Sequence, residues 1–352
     1  MRSVTINASK DYDVLVGAGL LKQSGEIIAS ACGGEAAFLL TDDVVNNYYG
    51  DVAEQSLRAA GYITSRFVFP HGEKSKNIDT YIALLRALSE ANITRSDVVV
   101  ALGGGVTGDL GGFSAATYLR GTRFAQIPTS LLAMVDSSVG GKTAIDLPTG
   151  KNQVGAFYQP DIVICDVDVI RALPNDIFLD GCAEIIKHGI ILSAELFELL
   201  KQPIHPQLED VIVRNIVIKR DIVVADERDA GIRRILNFGH TIGHGIEKLS
   251  GYTISHGKAV AIGMAVASLG SFRLGICNED CYLEIIDMIK RFHLPNTTNL
   301  PPDELTQAAF YDKKRSGQHI SLILPEKIGK CLIKSFSLAD LASFIRLGTE
   351  IS

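Results

Sequence analysis

Val98-Val99-Val100-Ala101-Leu102-Gly103-Gly104-Gly105-Val106-Thr107-Gly108-Asp109 is a β-branched, apolar run that breaks into a glycine turn, with a helical pattern following to near Leu119. Such a run suits a strand buried on both faces of a parallel sheet. The turn then delivers the chain to a helix N-terminus, where bare backbone N–H groups and the helix dipole can hold a phosphate or pyrophosphate. Gly103, Gly105 and Gly108 satisfy the GxGxxG spacing, yet the acid wanted ~20 residues further on is missing, because Arg123–Pro128 contains none. An acid does close an earlier strand-like run, Leu40-Thr41-Asp42-Asp43, where Asp42 could accept hydrogen bonds from ribose hydroxyls. A nucleotide site and a merely tight turn are both compatible with the stretch.

Outward from this turn, short apolar runs at Ser3–Ile6, Asp13–Val16, Ala36–Leu40, Phe67–Phe69, Phe124–Ile127 and Ile162–Cys165 predict further strands. Amphipathic stretches such as Tyr81–Glu90 fall between some of them. That alternation predicts an α/β fold with a mostly parallel sheet covered by helices. From about Leu173-Pro174 the pattern turns helical, over Ala183–Leu200, Val211–Ala225, His240–Leu249, Lys258–Leu274 and Leu283–Arg291, with only Ile320–Leu324 and Cys331–Ile333 strand-like. The expected organisation is an α/β domain over residues 1–174 and a mostly α-helical domain over 175–352. Active sites commonly lie in clefts between such domains.

The 352 residues, 47% hydrophobic and 21% charged, have ordinary globular usage, which excludes disordered and fibrous classes. The apolar stretch Ala259–Gly270 is shorter than the ~18 residues needed to span a bilayer and predicts a buried helix. The start, MRSVTINASKDYD, has no apolar h-region, so a cytoplasmic protein without membrane association is expected. A net charge of −6 has the wrong sign for a nucleic-acid binder, so any cationic site must be local. The six scattered cysteines are read as reduced thiols.

Local cations do occur. Asp136-Ser-Ser-Val-Gly-Gly-Lys142-Thr143 and Pro148-Thr-Gly-Lys151-Asn152-Gln153 form a loop region rich in glycine, ammonium and amide donors. Its GGKT ending is not a P-loop, because GxxxxGK[ST] would need Gly at position 136. Lysines on glycine-flanked backbone suit a phosphorylated or carboxylated small molecule, although solvated surface lysines would look the same.

Three histidines, His240, His244 and His256, lie close in sequence. His240 and His244 are four apart and share a helix face, the arrangement of two metal-ligating imidazoles. Glu184, in Ala183-Glu184-Ile-Ile-Lys187-His188, is a candidate third ligand, since a His₂Glu set leaves open positions on zinc. An ordinary ion pair would also explain Glu184 and Lys187 at i, i+3.

Taken together, these runs resemble the 3-dehydroquinate synthase family of the sugar phosphate cyclase superfamily. The resemblance is carried by Gly72-Glu73-Lys74, GGGVTGD at 103–109, YLRGTRF at 118–124, IPTSLLAMVDSSVGGKT at 127–143, GKNQVGAFYQP at 150–160, AEIIKHG at 183–189, LNFGHTIGH at 236–244, HGKAVAIGM at 256–264 and DKK at 312–314. It implies a Rossmann-like NAD-binding domain over 1–174, a helical metal- and substrate-binding domain over 175–352, and usually a homodimer. The implied metal ligands are Glu184, His240 and His256, binding zinc or cobalt, with His244 turned to substrate. The implied NAD contacts are Asp42, Glu73, Lys74, Gly104, Gly105, Val106, Asp109, Thr129 and Ser130. Catalytic roles are implied for Lys142, Lys151, Asn152, Lys187, Lys219, Asn237 and His244. Further substrate contacts would be Asp136, Arg233, Lys314 (favoured over Lys313) and Arg120 reaching the partner subunit's site.

The implied reaction converts 3-deoxy-D-arabino-heptulosonate 7-phosphate, a phosphorylated sugar acid, to 3-dehydroquinate plus phosphate. It runs through transient oxidation by NAD, phosphate elimination, re-reduction, ring opening and intramolecular aldol closure, with the departing phosphate as the base. Another sugar phosphate cyclase, or a metal-dependent oxidoreductase of the glycerol dehydrogenase type, is the alternative. The chain departs from the family pattern at Lys258, where Glu is usual, at Leu173-Pro174-Asn175-Asp176, and at Ala172, where Thr is frequent. These changes are expected to tune affinity without altering the reaction.

Overall fold

A computed structural model describes residues 1–311 and 319–350. The described chain divides into two compact units: Met1–Pro174 with Leu208–Arg228, and Asn175–Gln207 with Asp229 onward. The first crossing falls after Pro174, but the helix Leu208–Ala225, expected in the second domain, clusters with the first unit. There it packs against the first two strands of the sheet.

The first unit is built on β1 (Arg2–Asn7), β2 (Asp11–Gly17), β3 (Ala36–Asp42), β4 (Ile63–Phe69), β5 (Val98–Gly103), β6 (Arg123–Pro128), β7 (Lys142–Leu147), β8 (Gly150–Phe157) and β9 (Ile162–Asp166). Seven strands form one sheet in the order β1-β2-β9-β6-β5-β3-β4, parallel except for the β1–β2 pair. Period two explains why the central runs lack polar gaps. On β3 and β5, Leu39, Val98, Val100 and Leu102 enter one apolar core, whereas Phe38, Leu40, Val99 and Ala101 enter the other. The chain runs from β3 out to edge strand β4 and returns to β5 on the other side of β3. The carboxyl ends of β3 and β5 therefore flank a topological switch point, the usual ligand position in open α/β sheets. Asp42 ends one of these strands and Gly103 the other.

The loop region around Lys142 and Lys151 departs from expectation, forming the antiparallel hairpin β7–β8. Ile145 anchors it in the core shared with the helix Gly105–Thr117.

In the second unit the apolar stretch Ala259–Gly270 lies within the helix His256–Arg273, which is buried along most of its length. Around it pack helices Asn175–Leu192, His240–Leu249, Glu279–Arg291 and Leu338–Thr349. The hairpin of β10 (His319–Lys327) and β11 (Lys330–Ser337) completes the unit. Among the described residues no helix is long and apolar enough to cross a membrane.

Candidate active site

In the second unit three helices bring their chemistry together. Helix Asn175–Leu192 carries Glu184 and Lys187 one turn apart, 0% and 1% exposed, with the ammonium in contact with Glu184 Oε2. His240 opens one helix and His256 opens the next. A Cβ on Gly263 would stand 2.0 Å from the Gly239 carbonyl oxygen, so glycine is what lets these two helices approach closely enough to present both imidazoles to one carboxylate. Glu184 Oε1 lies 3.4 Å from His240 Nε2 and 3.3 Å from His256 Nε2.

The other ring nitrogens are engaged. His240 Nδ1 is 3.0 Å from the Phe238 carbonyl oxygen, and His256 Nδ1 is 3.2 Å from Glu247 Oε2. An Nδ1–H donated to such an acceptor leaves Nε2 as the lone-pair nitrogen. Among the described residues neither Glu184 oxygen receives a well-directed hydrogen bond, and the carboxylate is met by the Lys187 ammonium and the two imidazoles. Ligand atoms of Glu184, His240 and His256 all lie within 4.8 Å of one another. Two imidazole nitrogens and a carboxylate oxygen in a desolvated place fit a divalent cation with an open coordination position.

The electrostatics centre on an ionised carboxylate. Burial works to raise the Glu184 carboxyl, but the Lys187 ammonium and His240 hold it well below the usual range. Burial lowers His240. His256 is likewise disfavoured as a cation by burial, yet Glu184 and Glu247 lift it to about 10. The pairing of His240 with His244 suggested by their spacing is not what the structure assembles. Among the described residues, His244 groups with Glu247 and His256, and no three-ligand group contains both His240 and His244. Arg233 is buried in the short 3₁₀ turn Ile232–Asn237, which Asn237 ends. Lys313 and Lys314 lie outside the described residues.

In the first unit, Gly104 precedes the helix Gly105–Thr117 with no side chain capping it, which leaves the N-terminal amides of Gly105 and Val106 available to an anion. Asp42 uses Oδ1 to accept the N–H groups of Val44 (3.0 Å) and Val45 (2.9 Å), so its carboxylate also caps a turn. Thr129 and Ser130 follow β6 and are buried. The Thr129 N–H donates to the Gly103 carbonyl at 3.0 Å, and Ser130 Oγ accepts from the Ala133 N–H at 3.2 Å.

Sequence reasoning singled out Lys74, which is exposed, and passed over Lys76. The Lys76 side chain is 5% exposed, and its ammonium lies 3.0 Å from Glu73, 3.2 Å from Asp109 and 3.7 Å from Asp146, and donates to Asn152 Oδ1 at 2.7 Å. Desolvation pushes Asp109 up to about 6 against the pull of that ammonium. No motif flags Lys76, because its partners, from Glu73 to Asn152, are far apart in sequence and meet only in the fold.

On the hairpin, Lys142 opens β7, and Lys151 reaches Glu73 at 3.7 Å. Asn152 has φ +55° and donates its N–H to Asp146 Oδ1 at 2.7 Å. Asp136 sits in a single π turn, Ala133–Ser137, where its carboxylate and carbonyl oxygens contact the Lys219 ammonium. Arg120 is exposed and, like Leu119, has positive φ.

Residues 66–180 match the family model for the 3-dehydroquinate synthase N-terminal domain, and residues 181–315 that for the C-terminal domain. A 3-dehydroquinate synthase of Clostridium acetobutylicum is 43% identical over 343 residues, covering 96% of each chain. Another, of Streptococcus suis, is 41% identical over 354 residues, covering 98% of this chain and 99% of that one. Among solved structures, 2-epi-5-epi-valiolone synthase from Streptomyces hygroscopicus, with NAD⁺ and Zn²⁺ bound, superposes with a TM-score of 0.87 at 26% identity, covering 98% of both chains. On this full-length agreement, in sequence as in fold, the chain belongs to the 3-dehydroquinate synthase family.

Proposed function

We propose that the chain catalyses the 3-dehydroquinate synthase reaction, eliminating phosphate from 3-deoxy-D-arabino-heptulosonate 7-phosphate and closing the carbocycle of 3-dehydroquinate. The observation that carries this reading is the Glu184–His240–His256 donor set, with each imidazole Nδ1 engaged by an oxygen, in a chain of that family. When bound, NAD would supply a place for the substrate's electron pair to be taken up and then returned, and zinc or cobalt would supply a Lewis acid for the alcohol oxygen.

The chain's own residues hold and orient. Glu184, His240 and His256 hold the cation. Amides at Gly104, Gly105 and Val106 receive the pyrophosphate of NAD, Asp42 takes ribose hydroxyls, and Glu73, Lys74, Asp109, Thr129 and Ser130 enclose the rest. Lys76 belongs with this group by its contacts to Glu73 and Asp109.

Lys142, Asn237, His244 and Lys314 bind the substrate phosphate, which is itself the base for elimination. Lys151, Lys219 and Arg233 neutralise the carboxylate and hydroxyl end, while Asp136, Asn152 and Lys187 orient the hydroxyls. Cations of this kind suit a polyanionic substrate even in a chain of net charge −6. The exposed Arg120, held at an unusual φ of +66°, reaches the site of a second copy in a cytoplasmic homodimer.

The test is phosphate release from this substrate with metal present and NAD far below substrate, following the absorbance of reduced NAD in parallel. Many phosphates per NAD, with no lasting reduced NAD, is the expected result. Stoichiometric reduction of NAD on a simple polyol without phosphate release would overturn the reading in favour of a dehydrogenase. Turnover only of sedoheptulose 7-phosphate or glucose 6-phosphate would assign a different cyclase.

A further inference from the structure

His256 stands between two carboxylates. Its Nε2 faces Glu184 Oε1 at 3.3 Å, and its Nδ1 meets Glu247 Oε2 at 3.2 Å. Glu247 lies on the helix His240–Leu249, seven positions after His240, so the helix that supplies one imidazole also supplies the group behind the other. The Glu247 side chain is only 5% exposed, a place where a carboxylate persists only if it is paired.

We propose that Glu247 is a positioning residue for the cation site: it accepts the Nδ1–H of His256, fixes that ring with Nε2 on the side of Glu184, and thereby sets the chain's affinity for zinc or cobalt. The inference rests on reading Glu184, His240 and His256 as the metal centre. Its physical content is twofold. A ring already held in its ligating orientation spares the site the cost of ordering it on binding, and a carboxylate behind the ring raises the basicity of the ligating nitrogen. Glu247 also falls within 4.8 Å of ligand atoms of His244 and His256. Its second oxygen makes direct ligation the rival role, and the cobalt spectrum separates the two.

The experiment compares the wild-type chain with Glu247→Ala and Glu247→Gln, each without NAD or substrate. Competition with a chromophoric chelator gives the zinc and cobalt dissociation constants, and cobalt(II) absorption reports the ligand field. Glu247→Ala should bind ~10–100-fold more weakly, and Glu247→Gln, which keeps an oxygen acceptor but lacks the charge, about 3–10-fold more weakly. The cobalt bands of Glu247→Gln should keep the wild-type positions and intensities.

Wild-type affinity in Glu247→Gln would overturn the proposal, and that arm stands even where Glu247→Ala does not fold. So would a Glu247→Gln no better than a folded Glu247→Ala, or altered cobalt bands, which would make Glu247 a ligand. If the wild-type chain binds neither metal, the metal centre itself falls, whereas a variant indistinguishable from a metal-binding wild type sinks only the role of Glu247.

Discussion

Replacing Glu184 by Gln removes one negative charge at nearly constant shape, in a place that solvent does not reach. Lys187, 1% exposed, then keeps its charge beside a neutral amide. Breaking a buried ion pair by removing one partner costs ~3–5 kcal/mol, because the remaining charge is uncompensated. A hydrogen bond from the ammonium to the new amide oxygen returns roughly 1–2 kcal/mol of this, so metal-free Glu184→Gln should lose about 1–4 kcal/mol. Glu184→Met with Lys187→Met removes both charges and should recover to within ~1 kcal/mol of wild type, since an apolar replacement of a whole buried pair is close to neutral.

Metal affinity should follow a different course, falling in Glu184→Gln and staying low in the double variant, because the anionic ligand is gone from both. Denaturant melts of metal-free protein supply the first quantity, read by far-UV circular dichroism because the chain has no tryptophan. Chelator competition supplies the second. A Glu184→Gln protein with wild-type stability and wild-type zinc affinity would refute the placement of Glu184 as both counterion to Lys187 and ligand.

Three further outcomes are expected. Gly263→Ala drives a methyl into the Gly239 carbonyl oxygen, 2.0 Å from the new Cβ, so the helices must part; overpacking of this kind costs ~1–3 kcal/mol, and a chelator titration should show weakened metal binding with it. Asp97 accepts the backbone N–H groups of Glu35 (3.1 Å), Ala36 (2.9 Å) and Thr94 (2.8 Å), and Asp97→Ala strands all three; thermal and denaturant melts should show a loss of about 2–4 kcal/mol. Burial of Asp97 is outweighed by the hydrogen bond from the Thr94 hydroxyl (2.6 Å) together with these N–H groups, which lower its carboxyl, so its stabilisation is present above the unfolded-state value near ~3.9 and fades as pH falls through the lower folded-state value; the acid limb of stability below about pH 4 should therefore be shallower in Asp97→Ala. Lys258→Glu gives up a 4.0 Å ion pair with Asp176 at a partly exposed position and puts an acid in the first turn of its helix. The change should move stability by no more than ~1 kcal/mol, leave the reaction unchanged and not impair metal binding, and an impaired chelator titration would contradict it.

The sheet is legible in the sequence because its strands are buried on both faces, so Val98–Leu102 or Ala36–Leu40 has no polar residue to break the run. The hairpin β7–β8 is illegible for the opposite reason. Its two strands pair with each other, and much of β8 faces solvent, so Gly150-Lys151-Asn152-Gln153 carries the composition of a loop. The run Ala183–Leu200 reads as one helix, yet Ser193 interrupts it and caps the next by accepting the Leu196 N–H at 3.1 Å. In the candidate site, spacing on one helix finds His240 with His244, but the residue that faces Glu184 beside His240 comes from another helix. That relation is tertiary, and helical periodicity carries no trace of it. Lys76 shows the same limit, since a buried ammonium is recognisable only once Glu73, Asp109 and Asn152 surround it.

The path of the chain has a consequence for biosynthesis. Because Leu208–Arg228 belongs to the first unit and lies beyond a stretch of the second, the chain crosses between units at 174–175, 207–208 and 228–229. The usual order of vectorial folding, in which an N-terminal domain is finished before its successor emerges, cannot apply unaltered. A nascent chain stopped at Pro174 has all seven sheet strands but lacks the helix that packs on β1 and β2, and it also lacks Lys219, the partner of Asp136. The ribosome must deliver residue 228 before the first unit can complete its own packing, by which time the first helices of the second have already been made.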